Sequence, residues 1–182
     1  MNILIIILNT IYYLLPAMVA NAAPVLIRRG HPIDHGLNLY DGKRIFGDGK
    51  TIEGFLFGVF GGTLISFGEY AFSSTLSQLL IGISLSVGAL AGDLVGAFIK
   101  RRLGLPRGYP APLLDQLDFV LGAYFVSGVF NYVAQHDFTV FGDLVPPTLQ
   151  LQMVLTSLYI IPLLHLATNI GAYFLHLKQT PW

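Results

Sequence analysis

The stretch TLSQLLIGISLSVGALAGDLVGAFIKRR, residues 75–102, decides how this chain folds. From Thr75 to Ile99 it holds a single charged residue, Asp93, and it then meets three consecutive cations, Lys100, Arg101 and Arg102. About 20 mostly apolar residues, coiled as a helix, cross the roughly 30 Å of bilayer hydrocarbon. The stretch therefore reads as a membrane span stopped at the interface by a basic cluster. Four others reach that length, near 3–27, 52–70, 116–135 and 150–177, the second only just. Composition agrees: 54% of the 182 residues are hydrophobic and 11% charged, where an ordinary soluble domain carries about 25% charged residues. The expectation is an all-α integral membrane protein of about five transmembrane helices, forming one domain over residues 1–182.

Charge placement orients it. The ten Lys and Arg residues fall only in alternate connections: Arg28, Arg29, Lys43, Arg44 and Lys50 in one, Lys100, Arg101, Arg102 and Arg107 in another, and Lys178 near the end. Positive loops stay in the cytoplasm, which predicts an N-terminus outside, a C-terminus inside, and two charged loops together on the cytoplasmic face. Net charge is zero and Cys is absent, so thiol catalysis, disulfides and Cys-zinc sites are excluded. Asn21-Ala22-Ala23 could pass for a signal-cleavage site. Yet no cation precedes Ile3–Val19 and two follow it, the order of an uncleaved N-out anchor. Pro16 and Pro24 should kink this helix or end it.

Two helices carry glycine stripes, Gly54-Gly58-Gly62 and Gly88-Gly92-Gly96. Small residues on one helix face let backbones approach closely in lipid, so the second and third spans should pack as neighbours. Helix packing explains the stripes by itself; functionally, they could bring both charged loops over one pocket. No internal repeat suggests a transporter built from two halves.

Among residues able to do chemistry, Asp93 stands out. It precedes Lys100 by seven positions, on the same helix face and about 10 Å deeper along the axis. A carboxylate at that depth is costly and by default a functional candidate, an ion pair or a protonated Asp bonded to a neighbouring helix being the structural alternative. Asp115 and Asp118 share a face at i, i+3 where the fourth span begins, though acids also suit a helix start. With Asp93 they offer three hard oxygen ligands, and Mg²⁺ typically takes one or two carboxylates plus substrate phosphates and water. Acids beside many cations suggest metal for one phosphate face and Lys or Arg for the other. The run Arg44–Thr51 fails the P-loop test, because Arg44 stands where its first Gly belongs. Gly47 and Gly49 could still form an anion-binding nest. Asp41-Gly42 echoes the opening of CDP-alcohol phosphotransferases, but their later residues do not follow at the required intervals. Asn131, His165 and Asn169 could line a cavity, although helix–helix hydrogen bonds explain them too. The histidines show no metal-ligand spacing, and no Ser–His–acid grouping is visible.

The run Gly92-Asp93-Leu94-Val95-Gly96-Ala97-Phe98-Ile99-Lys100-Arg101-Arg102-Leu103-Gly104, followed by Leu114-Asp115-Gln116-Leu117-Asp118, resembles the signature of membrane CTP:phosphatidate cytidylyltransferases. It is most similar to their archaeal branch, which shares a motif like Gly47-Asp48-Gly49-Lys50-Thr51-Ile52-Glu53-Gly54 and a small five-span size. The resemblance covers essentially the whole chain. Departures from the bacterial and eukaryotic pattern are Ala97 in place of Ser, Pro106-Arg107 in place of Lys-Asp, Asp115-Gln116 in place of Asp-Arg, and no Pro-Gly-His-Gly-Gly segment.

The resemblance implies transfer of CMP from CTP to an archaeal ether-lipid phosphate, giving CDP-archaeol and pyrophosphate. Asp93, Asp115 and Asp118 would hold Mg²⁺. Lys100 and Arg101 would neutralise phosphates, and Lys43, Arg44, Asp48, Gly49, Lys50 and Thr51 would close over the nucleotide. The partners expected are CTP, a membrane lipid phosphate and the bilayer, with no nucleic acid; oligomeric state is open. Two other readings stand beside it: a channel or transporter using Asp93, His165 and Asn169, and a structural subunit whose basic loops dock anionic lipid headgroups.

Overall fold

A computed structural model of the protein describes residues 2–106, 109–111, 113–137 and 147–177. Arg107 and Lys178 lie outside the described residues. Five helices follow in order: α1, Ile3–Ala22; α2, Ile52–Ser73; α3, Leu76–Arg102; α4, Leu114–Asp137; and α5, Pro147–Phe174. Each contains a segment long and apolar enough to cross a membrane. No strand occurs among the described residues; the loop between α1 and α2 has only two isolated bridges.

Local chemistry sets the ends. Asn2 caps α1 by accepting the Leu4 N–H at 3.1 Å, and Thr51 caps α2 by accepting that of Gly54 at 3.1 Å, each satisfying an orphan donor of the first turn. Pro24 opens a 3₁₀ turn over Ala23–Leu26, so α1 ends where expected, whereas Pro16 sits within α1 without interrupting it. Ser74, in the left-handed conformation at φ 55°, turns α2 directly into α3.

The central helix is α3. Over half of its apolar window lies inside the protein, against a third or less for every other span, and it packs along α4, α2 and α1. The core joins Leu14 and Ala17 of α1, Leu85 and Ala89 of α3, Val120 and Ala123 of α4 and Ile161 of α5. By contrast, α2 presents exposed Leu56, Phe60, Leu64 and Phe67, an apolar outer surface of the kind that meets lipid.

The glycine stripes take different partners. On α2, a Cβ at Gly58 would lie 2.6 Å from the Ala20 carbonyl oxygen, and one at Gly62 2.7 Å from both the Pro16 carbonyl oxygen and Ser86 Cβ. That stripe therefore seats α2 in the groove between α1 and α3. The α3 stripe faces α4 instead. A Cβ at Gly88 would lie 2.9 Å from Ala123 Cα, and one at Gly122 2.6 Å from Gly92 Cα. Successive residues are about 100° apart on a helix, so Ser86 and Gly88 point to nearly opposite neighbours. The second and third spans are neighbours as expected, but the close backbone approach of the α3 stripe belongs to α3 and α4.

Candidate active site

The connection between α1 and α2 is folded around Asp34, whose side chain is fully buried. Its Oδ1 accepts from Arg44 at 2.5 Å, and its Oδ2 accepts the N–H groups of Phe46 and Gly47, each at 2.9 Å. Burial opposes ionisation of Asp34. The Arg44 guanidinium and the N–H groups of Gly47, Phe46 and Gly36 outweigh it and hold the carboxyl well below the usual range. Arg44 also reaches Asp48 at 2.6 Å. The loop is pinned to the end of α3: Arg102 donates to Asp41 and to the carbonyl oxygens of Lys43 and Arg44, while Lys43 Nζ donates back to the Arg102 carbonyl at 3.0 Å. At its far end the loop runs beside itself, Ile33 N–H donating to the Lys50 carbonyl oxygen at 2.9 Å. These bonds deliver Lys50 to α3, where its Nζ meets Asp93 Oδ2 at 2.5 Å, both side chains about a quarter exposed.

A second ion pair closes the next corner. Lys100 Nζ meets Asp115 Oδ1 at 2.5 Å, and Asp115 Oδ2 accepts the Ala111 N–H at 3.0 Å. Asp118, one turn on, accepts the Phe119 N–H at 2.7 Å and lies within electrostatic reach of Asp93, Lys50 and Lys100. Its position depends on Gly96: a Cβ there would stand 2.9 Å from both Cβ and Cγ of Asp118. Gly96 is thus the gap in α3 that holds the Asp118 carboxyl.

These groups surround a cavity of about 1130 Å³. Arg28, Lys50, Asp93, Lys100, Arg101, Asp115 and Asp118 form its charged wall. Met18, Phe119, Ile161 and Leu164 line an apolar side, with His165, Thr168 and Asn169 of α5 beside them. The His165 ring stands 6.0 Å from that of Phe119, centroid to centroid. An adjoining cavity of about 290 Å³ lies between the 3₁₀ turn, the start of α2 and α3. Arg28, Gly49, Lys50 and Asp93 border both.

The expected site residues divide accordingly. Asp93, Lys100, Arg101, Asp115 and Asp118 come together on the large cavity, joined by Gly49 and Lys50 from the first loop. Asp48 and Thr51 border only the smaller one. Lys43 and Arg44, expected to close over a nucleotide, instead bond to Arg102, Asp34 and Asp48, because a loop rich in Gly must be tied down by side chains. The three carboxylates also differ from the expectation of a shared ligand set. Among the described residues no three His, Asp or Glu side chains stand close enough to hold an ion by themselves, and both oxygens of Asp115 are already engaged. Asp93 and Asp118, half-buried on facing helices and open to the cavity, fit Mg²⁺ as a two-carboxylate site that takes its remaining ligands from phosphate and water.

Some contributors escape sequence reasoning. Asp34 is a lone acid in a turn-rich loop, with no spacing to mark it. Gly122, against Gly88 and Gly92, is visible in principle as the i, i+4 partner of Asp118. His165 and Asn169 do line the cavity, whereas Asn131 borders neither space.

Known proteins place this architecture. The family model described as "CarS-like: CDP-archaeol synthase" matches residues 3–182. CDP-archaeol synthase of Aeropyrum pernix is 44% identical over 97% of this chain and 92% of its own length. That of Pyrobaculum calidifontis is 45% identical over 92% and 93%. A solved structure, of an intramembrane enzyme for archaeal membrane lipids biosynthesis, superposes with a TM-score of 0.74 at 43% identity, covering 90% of this chain and 94% of that one. Five spans around a charged, partly apolar cavity, taken with the likeness to that intramembrane enzyme and the family match, define the class: a multi-pass intramembrane enzyme, a cytidylyltransferase of lipid synthesis. Within that class, the chain belongs to the CDP-archaeol synthase family.

Proposed function

We propose that this protein transfers CMP from CTP to a membrane lipid phosphate, an unsaturated archaetidic acid, releasing pyrophosphate on the cytoplasmic face. The observation that carries the reading is the large cavity, where three carboxylates and several cations face an apolar wall at one end of the bundle. A lipid phosphate oxygen attacks the α-phosphorus of CTP; the new P–O bond replaces the bond to the β-phosphate, and pyrophosphate leaves with that electron pair. With the lipid phosphate as dianion, charge balances without a proton, so no general base is required. Nor is a protein nucleophile: the demand is for positioning and charge stabilisation.

Asp93 and Asp118 would hold Mg²⁺, which, when bound, screens the triphosphate and stabilises charge on the departing pyrophosphate. Arg101 carries a buried Nε with no partner among the described residues and supplies a guanidinium to the nucleotide phosphates. Lys100 and Lys50, each held by one carboxylate, keep further N–H donors for phosphate oxygens. The apolar wall lets the lipid phosphate reach the nucleotide while its chains stay in the bilayer.

The test is product formation by purified protein in detergent, given CTP, Mg²⁺ and a panel of lipid phosphates. CDP-lipid and pyrophosphate should appear in equal amounts, need both lipid and metal, and vanish in Asp118→Asn and Asp93→Asn variants that still fold. Turnover that survives complete chelation removes the metal from the scheme. Silence with every lipid from folded protein returns the channel and scaffold readings.

A further inference from the structure

The three consecutive cations that end α3 point three ways, since successive helical residues are about 100° apart. Lys100 turns to Asp115 of α4, Arg101 to the large cavity, and Arg102 to the first loop, bordering neither cavity. Arg102 is the most heavily committed of them. One Nη donates to Asp41 Oδ1; the other donates to the carbonyl oxygens of Arg44 and, at 3.1 Å, of Lys43. Its guanidinium carbon stands 5.2 Å from the centre of the Phe98 ring. The Lys43 ammonium returns a bond to the Arg102 carbonyl oxygen at 3.0 Å, satisfying an orphan acceptor of the last turn. One planar fork thus gathers partners 58 to 61 residues away in the chain. Lys, a point charge on a flexible stem, presents no such fork.

What the fork holds in place bears on the site. Just past Arg44 the loop reaches Gly47, whose N–H donates to Asp34 Oδ2 at 2.9 Å and whose carbonyl oxygen accepts from the Lys50 N–H at 3.2 Å. Gly47 takes φ 93°, a left-handed conformation open to glycine without steric cost. It faces the side chain of Arg101: a Cβ there would lie 3.7 Å from Arg101 Nε and 3.8 Å from its Cδ. The loop backbone therefore roofs the stem of Arg101. Arg101 Nε is buried with no partner among the described residues, so packing beneath that roof sets where its guanidinium points. Resting on the cytidylyltransferase reading, we propose that Arg102 is a positioning residue for the nucleotide: by clamping residues 41–44 to the end of α3, it keeps Gly47 over Arg101 and aims the Arg101 guanidinium at the triphosphate. Arg102 itself touches no substrate. The basic run divides its work, Lys100 and Arg101 meeting phosphate and Arg102 holding the wall that directs Arg101.

The test is a double-mutant cycle on the full-length protein in detergent, with CTP, Mg²⁺ and a dialkylglycerol phosphate. Arg101→Gln and Arg102→Gln should each raise KM for CTP roughly tenfold, the worth of one hydrogen bond to a charged group. KM for the lipid phosphate should stay within about twofold of wild type. The double variant should be no worse than Arg101→Gln alone, because the clamp then has nothing left to aim. A rise of roughly 100-fold in the double variant means two independent contributions and overturns the proposal. Arg102→Lys should recover little of the loss, since charge without the fork leaves the loop unclamped; full recovery also overturns it. Should Arg102→Gln not fold, Asp41→Asn, which keeps an acceptor for the Lys43 N–H, takes its place in the cycle. Nucleotide binding is read separately as the rise in unfolding temperature caused by CTP and Mg²⁺ without lipid. A wild type that forms no CDP-lipid yet shows an Arg102-dependent rise keeps the positioning and loses the reaction scheme. A wild type silent to CTP in both assays sinks both, whereas a CTP response indifferent to Arg102 sinks the positioning alone.

Discussion

Replacing Gly96 with Ala tests the geometry of the site at a residue that has no chemistry of its own. The added methyl would stand 2.9 Å from Cβ and Cγ of Asp118 and closer still to its carboxylate oxygen. A real Cβ does not tolerate such contacts, so either α3 and α4 part or the carboxylate moves. Parting is resisted below, where Gly92 and Gly122 already stand backbone to backbone. Overpacking of this kind costs about 1–3 kcal/mol, partly offset by the gain of about 1 kcal/mol for Ala over Gly in a helix. The net loss, up to about 2 kcal/mol, lowers the unfolding midpoint by only a few degrees in a chain of this length. Turnover should fall far more, because displacing a positioned group by about 1 Å can cost around 100-fold. Gly68→Ala and Gly128→Ala are the controls, since a Cβ at either meets nothing within 4 Å; both should keep wild-type activity and gain up to about 1 kcal/mol of stability. The assay is CDP-lipid formation beside a thermal unfolding curve for each variant. Gly96→Ala with kcat within about twofold of wild type would refute the claim that Gly96 positions Asp118.

Asp34→Asn should destabilise the protein by about 3 kcal/mol, the lower end for breaking a buried charge pair, and weaken activity through loss of order at Lys50. The native carboxyl titrates below its ordinary value, so its stabilisation is present above about pH 4 and fades as the medium is acidified through the folded value. The gap in unfolding temperature between wild type and variant should therefore stay flat from roughly pH 5 to 8 and narrow in acid; a gap that widens in acid contradicts the assignment. Orientation is open to single-thiol labelling because the chain has no Cys. Tyr40→Cys, 99% exposed on the basic loop, should resist an impermeant maleimide in intact cells, and Ser73→Cys at the opposite end should react. The reverse pattern inverts the topology.

Most of the architecture was legible in one dimension, because the bilayer imposes a length and polarity rule that acts on each segment independently. The span at 75–99 and the helix Leu76–Arg102 differ chiefly by the three cations the helix carries into its last turn. Asp93 was legible for the same reason, since an acid inside a span is costly wherever the helices go, and Asp115 and Asp118 were legible by their i, i+3 spacing where a span begins. Partner choice was not. A glycine stripe states that a helix face is thin but not which helix lies against it, and only the assembled bundle turned the α3 stripe to Asp118 and Gly122. The loop cations show the same limit: charge placed Lys43, Arg44 and Lys50 together on one face, yet only Lys50 reaches the large cavity. Whether a cation meets substrate or a neighbouring carboxylate depends on distances of a few ångström between segments far apart in the chain. Asp34 makes the point most sharply: nothing in its neighbours in sequence marks it, and its role exists only once Arg44, Phe46 and Gly47 fold back upon it.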